Sequence, residues 1–361
     1  MTSYSIAVIP GDGIGQEVVP AAIKVVDAAG EQFGFSCRWT SFDWGCERFS
    51  KTGQMMPNDG LAQLRQHDAI FLGAVGYPGV PDHVSLWGLL IPIRREFRQY
   101  INLRPVRLLP GIKTPLVGRE PSDIDFVVVR ENNEGEYSEI GGRLYRGSAD
   151  EMAVQQAVFT RRGIDRVVRY AFELALSRPA RHLTSATKSN GIIHSMPFWD
   201  ERFVAIAAEY PAVTVDQYHI DILAAHLIQH PDWFDVIVAS NLFGDILSDI
   251  GPAIAGSIGL APGANLNPEG TYPSMFEPVH GSAPDIAGKG VANPIGQVWT
   301  AAMMLEQLGE EDADRAIINA IESQVASGKI LTRDLGGDAS TEMVAEQLVR
   351  LVRENDASSR D

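Results

Sequence analysis

The residues best placed to do chemistry include two aspartates four positions apart. Asn241-Leu242-Phe243-Gly244-Asp245-Ile246-Leu247-Ser248-Asp249 follows the apolar run Val236–Ala239. On a helix this spacing puts Asp245 and Asp249 on one face, where they repel each other unless a cation lies between them. Oxygen ligands without Cys or His suit Mg2+ or Mn2+. An N-cap role would account for Asp245, but not for a second carboxylate beside an apolar face. Asp221 opens another helical segment and is either a third ligand or a cap.

Five arginines form a second group: Arg94, Arg95, Arg98, Arg104 and Arg130. A guanidinium matches a carboxylate with two parallel hydrogen bonds. Arg94 and Arg98 are helix-spaced, and Arg104 sits in Asn102-Leu103-Arg104-Pro105. Arg130 closes an apolar run, and strand C-terminal ends line ligand crevices in α/β proteins. Arg95 and Arg98 read as a solvated basic face. Tyr137 and Lys188 could serve as acid and base if burial or a nearby cation tuned them. Spacing alone does not single them out.

Two loops complete the inventory. Pro10-Gly11-Asp12-Gly13-Ile14-Gly15 joins a strand to a helix, and its spacing, GxGxG rather than GxGxxG, leaves a structural turn and a cofactor loop equally open. Residues 277–288, followed by Asn293-Pro294, are polar and rich in Gly and Pro, so they can wrap a ligand.

Positioning these groups requires an alternation of strands and helices. Strands are predicted at Ile6–Ile9, Ala69–Ala74, Phe126–Arg130, Val213–Gln217 and Val236–Ala239. Helices are predicted at Gln16–Ala29, Thr160–Leu176, Phe198–Glu209, Asp221–Gln229, Asn293–Leu308 and Thr341–Glu354. The rhythm is that of an α/β protein with at least part of its sheet parallel. Punctuation gathers at Tyr77–Pro81, Pro105–Gly118 and Gly251–Pro273, and the tail Asp356–Asp361 should fray.

At 361 residues the chain exceeds a single core and should form two domains. Its net charge of −16 argues against nucleic-acid binding. No apolar run is long enough for a membrane span, and the N-terminus lacks a signal-peptide pattern. Cys37 and Cys46 suit a reducing compartment, so a cytoplasmic location is expected.

Taken together, in this order and over nearly the whole chain, these motifs resemble the β-decarboxylating dehydrogenase family, which includes the isocitrate, 3-isopropylmalate, homoisocitrate, tartrate and D-malate dehydrogenases. The resemblance implies an isopropylmalate-dehydrogenase-like two-domain α/β fold around a shared central mixed sheet, distinct from the Rossmann fold. Residues 1–100 and 253–361 would form the cofactor domain, with 101–252 inserted for substrate binding and dimerisation. It implies that Arg94, Arg104 and Arg130 clamp substrate carboxylates. It also implies that Asp221, Asp245 and Asp249 hold Mn2+ or Mg2+, with a monovalent cation such as K+ left open. Ile14, His280, Gly281, Ser282, Ala283, Asp285 and Asn293 would bind NAD, Asp285 disfavouring NADP, with Glu277 supporting the loop. Lys188 and Tyr137 would be base and acid, and in a homodimer with shared sites Lys188 and Asp221 would act in the partner's site. The string Ser85-Leu86-Trp87-Gly88 looks most like the tartrate and D-malate branch, with Ser85 and Trp87 at the substrate and Trp87 excluding bulk at C3. Activity on a small 2-hydroxy dicarboxylate follows. The alternatives are a 3-isopropylmalate enzyme, which Leu89 and Leu90 could serve, and a non-catalytic regulatory subunit.

Overall fold

Ile6-Ala7-Val8-Ile9 carries no polar side chain on either face, so it can be buried only in a strand covered on both sides. In the computed structural model, which describes residues 2–354, this run is the centre of β1 (Thr2–Gly11) and is fully buried. Four more strands follow: β2 (Phe35–Ser41), β3 (Ala69–Ala74), β4 (Ile101–Arg107) and β5 (Asp125–Glu131). β6 (Gly141–Leu144) and β7 (Met152–Gln155) form a separate exposed ribbon. Then come β8 (His182–Thr187), β9 (Thr214–His219), β10 (Val236–Ala239), β11 (Ala264–Leu266) and β12 (Ser274–Phe276).

All but the ribbon belong to one mixed sheet, in the order β2-β1-β3-β12-β11-β4-β5-β10-β8-β9. β2, β1, β3 and β12 are parallel, as are β5, β10, β8 and β9. Between these blocks β11 is antiparallel to β12 and to β4, and β4 is antiparallel to β5. The two parallel blocks therefore run in opposite directions. Register places Asn265 opposite Asn102, and Asn102 opposite Arg130, in one row across the centre.

Helices cover both faces. Gly15–Phe33 buries Ala22, Val25, Val26 and Ala29 and packs on Ile295–Gln307 and Thr341–Glu354. Lys24–Glu342 and Arg353–Glu31 ion pairs join the first and last of these, so both chain ends belong to the β1 block. No described helix is long and apolar enough to cross a membrane. Cys37 and Cys46 are free, and Cys46 is fully buried.

Each predicted strand and helix coincides with an observed one to within a few residues. β2, β4, β8, the short β11 and β12, and the helix Glu311–Ser327 were not predicted. β8, His182-Leu-Thr-Ser-Ala-Thr, is small and polar, and only its neighbours bury it. β4 alternates polar and apolar residues around a proline. The helix Glu311–Ser327 opens on a run of acids. The tail Asp356–Asp361 lies outside the described residues.

Candidate active site

Arg94, Arg104 and Arg130 converge on a cavity of about 130 Å³ that Asn132, Tyr137, Asn241 and Asp245 also line. Arg94 comes from the short helix Ile91–Glu96, Arg104 from β4 and Arg130 from the C-terminal end of β5. All three are buried, and each is held by a specific acceptor. Arg94 Nη2 donates to Glu277 Oε1 at 2.6 Å. Arg104 donates from Nε to Asn102 Oδ1 at 2.8 Å and from Nη1 to Ser248 Oγ at 3.2 Å. Arg130 Nη2 and Nε donate to Asn241 Oδ1 at 2.7 and 3.1 Å, and Nη1 donates to Asp245. Burial lowers the Arg130 pKa to about 10, which still leaves it charged at neutral pH.

Behind the arginines lies a hub. Asn265 is fully buried in β11. Its Oδ1 accepts from Asn102 Nδ2 at 2.9 Å and from Asn132 Nδ2 at 2.8 Å, while its Nδ2 donates to Glu277 Oε1 at 2.8 Å. One amide thus links the partners of Arg94 and Arg104. Satisfied buried networks of this kind hold one geometry, because every broken bond strands a polar group. Glu277 was expected to support the cofactor loop. Its carboxylate is instead engaged by Arg94 and Asn265.

Asp245 and Asp249 lie on the helix Asn241–Ile254, which the apolar β10 feeds. Gly244 lets that helix approach Arg130, since a Cβ there would lie 2.6 Å from the Arg130 side chain. Tyr137 Oη donates to Asp245 Oδ2 at 2.9 Å. Burial, then the Asp245 charge, raises the Tyr137 pKa, so the phenol holds its proton. Burial opposes ionisation of Asp245, but Arg130 and Arg104 outweigh it and keep its pKa below the ordinary value. Asp249 is pushed up by burial and by the Asp245 charge. This oxygen-only, mutually repelling pair fits a hard divalent cation. It is nevertheless incomplete, since no three His, Cys, Asp or Glu side chains among the described residues are grouped to hold a metal.

Asp221 lies elsewhere. Lys188 Nζ and Asp221 Oδ1 form a 2.7 Å ion pair in which the Asp221 side chain is 67 % exposed, and neither residue lines the cavity. Ser85 Oγ donates to the Asp82 carbonyl of its own helical turn, and Leu86 lines the cavity in its place. Trp87 is covered by the guanidinium of Arg95, which is itself a lining residue although its sequence position suggested only a solvated face. Arg98 lies over the ring of Tyr272.

The remaining candidates flank the Gly11–Gly15 turn. A Cβ on Gly13 would sit 2.0 Å from the Ser282 carbonyl, and one on Gly11 2.0 Å from the Ala74 carbonyl. Packing against the chain itself therefore explains these glycines. Ile14 N donates to the Ser282 carbonyl at 2.8 Å, and Ile14 forms with Val18 and Ala292 a small apolar cluster on which Ala283 and Ile286 pack. Gly281 and Asp285 are exposed beside it. His280 is buried, its Nε2 has no hydrogen-bond partner, and burial lowers its pKa, so a neutral ring leaves one polar atom for a ligand. Asn293 donates to Asp334 at 3.0 Å and accepts from Ile295 N at 3.0 Å.

Sequence reasoning missed Asn132, Asn241, Asn265 and Arg95. Asn102 shares a strand face with Arg104 at a spacing of two, and that was its one available signal.

A family profile described as isocitrate/isopropylmalate dehydrogenase matches residues 5–350. The chain is 57 % identical over 359 residues to the Escherichia coli (strain K12) protein named D-malate dehydrogenase [decarboxylating], covering 98 % of this chain and 99 % of that one. It is 55 % identical over 350 residues to the tartrate dehydrogenase/decarboxylase of Pseudomonas putida, covering 95 % and 96 %. The crystal structure of isocitrate dehydrogenase from Methylococcus capsulatus superposes with a TM-score of 0.88 at 36 % identity, covering 97 % and 99 %.

Proposed function

The chain belongs to the isocitrate/isopropylmalate dehydrogenase family, and on that premise we propose that it is a NAD-dependent enzyme that oxidises D-malate or tartrate and decarboxylates the resulting keto acid. The observation that carries this reading is the trio Arg94, Arg104 and Arg130, which face a small cavity closed by Tyr137 and Asp245. Such a site selects a short dianion. The 3-isopropylmalate reading is not favoured, since the similar proteins just described bear D-malate and tartrate names. A regulatory subunit is not favoured either, because Tyr137, Lys188, Asp221, Asp245 and Asp249 are all present.

In this reading the three arginines hold the substrate carboxylates and orient C2. Asp245 and Asp249 hold Mn2+ or Mg2+ with Asp221 of a second copy, and Ile14, the loop 280–285 and Asn293 hold NAD. The Asp285 carboxylate favours free ribose hydroxyls over a 2′-phosphate. When bound, the two groups supply a hydride acceptor at C2 and a Lewis acid at its oxygen. Lys188 of the second copy takes the hydroxyl proton. Once CO2 has left, Tyr137 Oη delivers a proton to C3. Tartrate carries a C3 hydroxyl that lets oxidation stop at oxaloglycolate.

A homodimer with shared sites accounts for the exposed Lys188–Asp221 pair. Apolar side chains lie open beside it and beside the Asp245 helix: Ile193 is 67 % exposed, Ile222 44 % and Ile246 44 %. Free thiols at Cys37 and Cys46 fit a cytoplasmic location.

The test is NAD reduction with Mn2+, with and without K+, comparing D-malate, L-tartrate, meso-tartrate, 3-isopropylmalate and isocitrate by kcat/KM. D-malate and a tartrate should lead. A lead by 3-isopropylmalate or isocitrate would overturn the substrate assignment.

A further inference from the structure

Arg94 and Arg95 are adjacent on one helix, so their side chains diverge by about 100°. Arg94 turns inward to Glu277. Arg95 turns to the rim, where it makes three contacts at once. Its guanidinium lies 5.0 Å from the centroid of the Trp87 indole. Its Nη1 donates to Glu139 Oε2 at 2.6 Å, and its Nη2 donates to the Tyr137 carbonyl at 3.2 Å. Only a planar cation can present a face to an indole and its edge to two acceptors, so Lys is no substitute here.

The partners come from different regions. Trp87 lies in the single π-helical turn Leu86–Leu90, on the segment that leads from the β3 block, and turns of this kind often mark functional positions. Tyr137 and Glu139 follow β5, in the opposite block. An ordinary exposed ion pair would account for Glu139, whose side chain is 68 % exposed, but not for the stacked indole or the bond to the Tyr137 backbone.

We propose that Arg95 is a positioning residue that ties the Trp87 loop, whose Leu86 lines the cavity, to Tyr137 across the cavity mouth, coupling that wall to the group that completes the reaction. The proposal rests on the dehydrogenase reading for its kinetic consequence and on geometry alone for the contact itself. D-malate and NAD give oxaloacetate, NADH and a proton, and oxaloacetate then takes up a proton as it becomes pyruvate and CO2. With Tyr137 slack, the enolate left by CO2 waits for its proton, CO2 recombines with it, and oxaloacetate escapes.

The experiment compares wild type, Arg95→Ala and Arg95→Lys, each checked for an unchanged melting temperature. The fraction of oxidised D-malate released as oxaloacetate should rise in Arg95→Ala. Its kcat/KM for D-malate should fall roughly five- to tenfold, from loss of a stack and a rim ion pair. Its relative rate with 3-isopropylmalate should increase, and Arg95→Lys should recover little of any of these. Product partition and size preference identical to wild type would overturn the coupling. In parallel, acrylamide quenching of Trp87 is read as the difference between the parent and Trp87→Phe, with and without Arg95→Ala. Quenching should increase when Arg95 is lost, and no change would overturn the contact. If the wild type oxidises no 2-hydroxy dicarboxylate, the dehydrogenase reading falls while the fluorescence still decides whether Arg95 holds Trp87.

Discussion

The arginine cradle and the Lys188–Asp221 pair are built in opposite ways. Each cradle arginine is buried and held by a neutral or acidic partner, and Asn265 fixes two of those partners from behind. Lys188 and Asp221 pair with each other at the surface, with only backbone N–H groups of the Asp221 helix start beside them. A single chain therefore completes the arginine cradle on its own, while Lys188 and Asp221 remain outside the cavity. Preorganisation of the first kind needs nothing beyond the fold, whereas in the reading proposed above the second kind would gain its function from a second copy.

The largest effect expected is on Lys188. Lys188→Ala should lower kcat by about 10²–10⁴-fold, the usual range for a lost general base. Mixing it with inactive Asp245→Asn after dissociation and reassociation should restore about a quarter of wild-type activity, since half of the dimers are hybrids with one intact site. No recovery in proven hybrids would mean that the two regions do not meet between subunits. Next is Arg130→Ala, which leaves Asp245 without its main partner. Its kcat/KM should fall about 10²–10³-fold, and a smaller loss than that of Arg98→Ala would show that the cradle does not grip substrate.

Asn265→Leu tests the hub. It strands the Asn102 amide and removes a donor from Glu277, so KM should rise about tenfold with a smaller change in kcat. Equal changes in both would reduce the hub to a fold element. The smallest effect belongs to a group remote from both regions. Asp314 borders a crevice on the opposite sheet face, with Leu103 and Pro105. Burial, then the Glu306 charge, raises its pKa from 3.8 to about 7. The folded state thus favours the protonated form, so this contribution is complete below about pH 4 and is lost as pH rises towards 7. Asp314→Asn should be more stable than the parent at pH 8 by about 1–2 kcal/mol after allowance for partial exposure, with the gap closing near pH 4. Thermal melts across that range would show it, and activity at fixed pH should not change.

The same contrast explains what the sequence could disclose. The strongly periodic or β-branched segments, such as Ile6–Ile9 and Val236–Ala239, declare themselves because a buried strand must be apolar. Asp245 and Asp249 were visible through helical spacing. Asn265 was not, since a lone asparagine in a three-residue strand carries no local pattern and gains its meaning from Asn102 and Glu277, 163 residues before it and 12 after it. Arg95 looked like a solvated charge because nothing in Arg94-Arg95 says which side chain turns inward. The turn at Gly11–Gly15 read equally as a structural turn or a ligand loop, and the Ala74, Ser282 and Pro10 carbonyls account for its three glycines. Tertiary proximity made each of these distinctions, and local sequence does not encode it.

The strand order also bears on how the protein is made. β5, β8, β9 and β10 lie side by side and come from one uninterrupted stretch, 125–239. That block can assemble as soon as it leaves the ribosome. β1 is synthesised first, but its block also needs β12 at 274–276, and the helix Gly15–Phe33 is covered by Thr341–Glu354. The β1 block is thus closed only when those later segments exist, and the β3 edge that β12 covers must be kept from other chains until then.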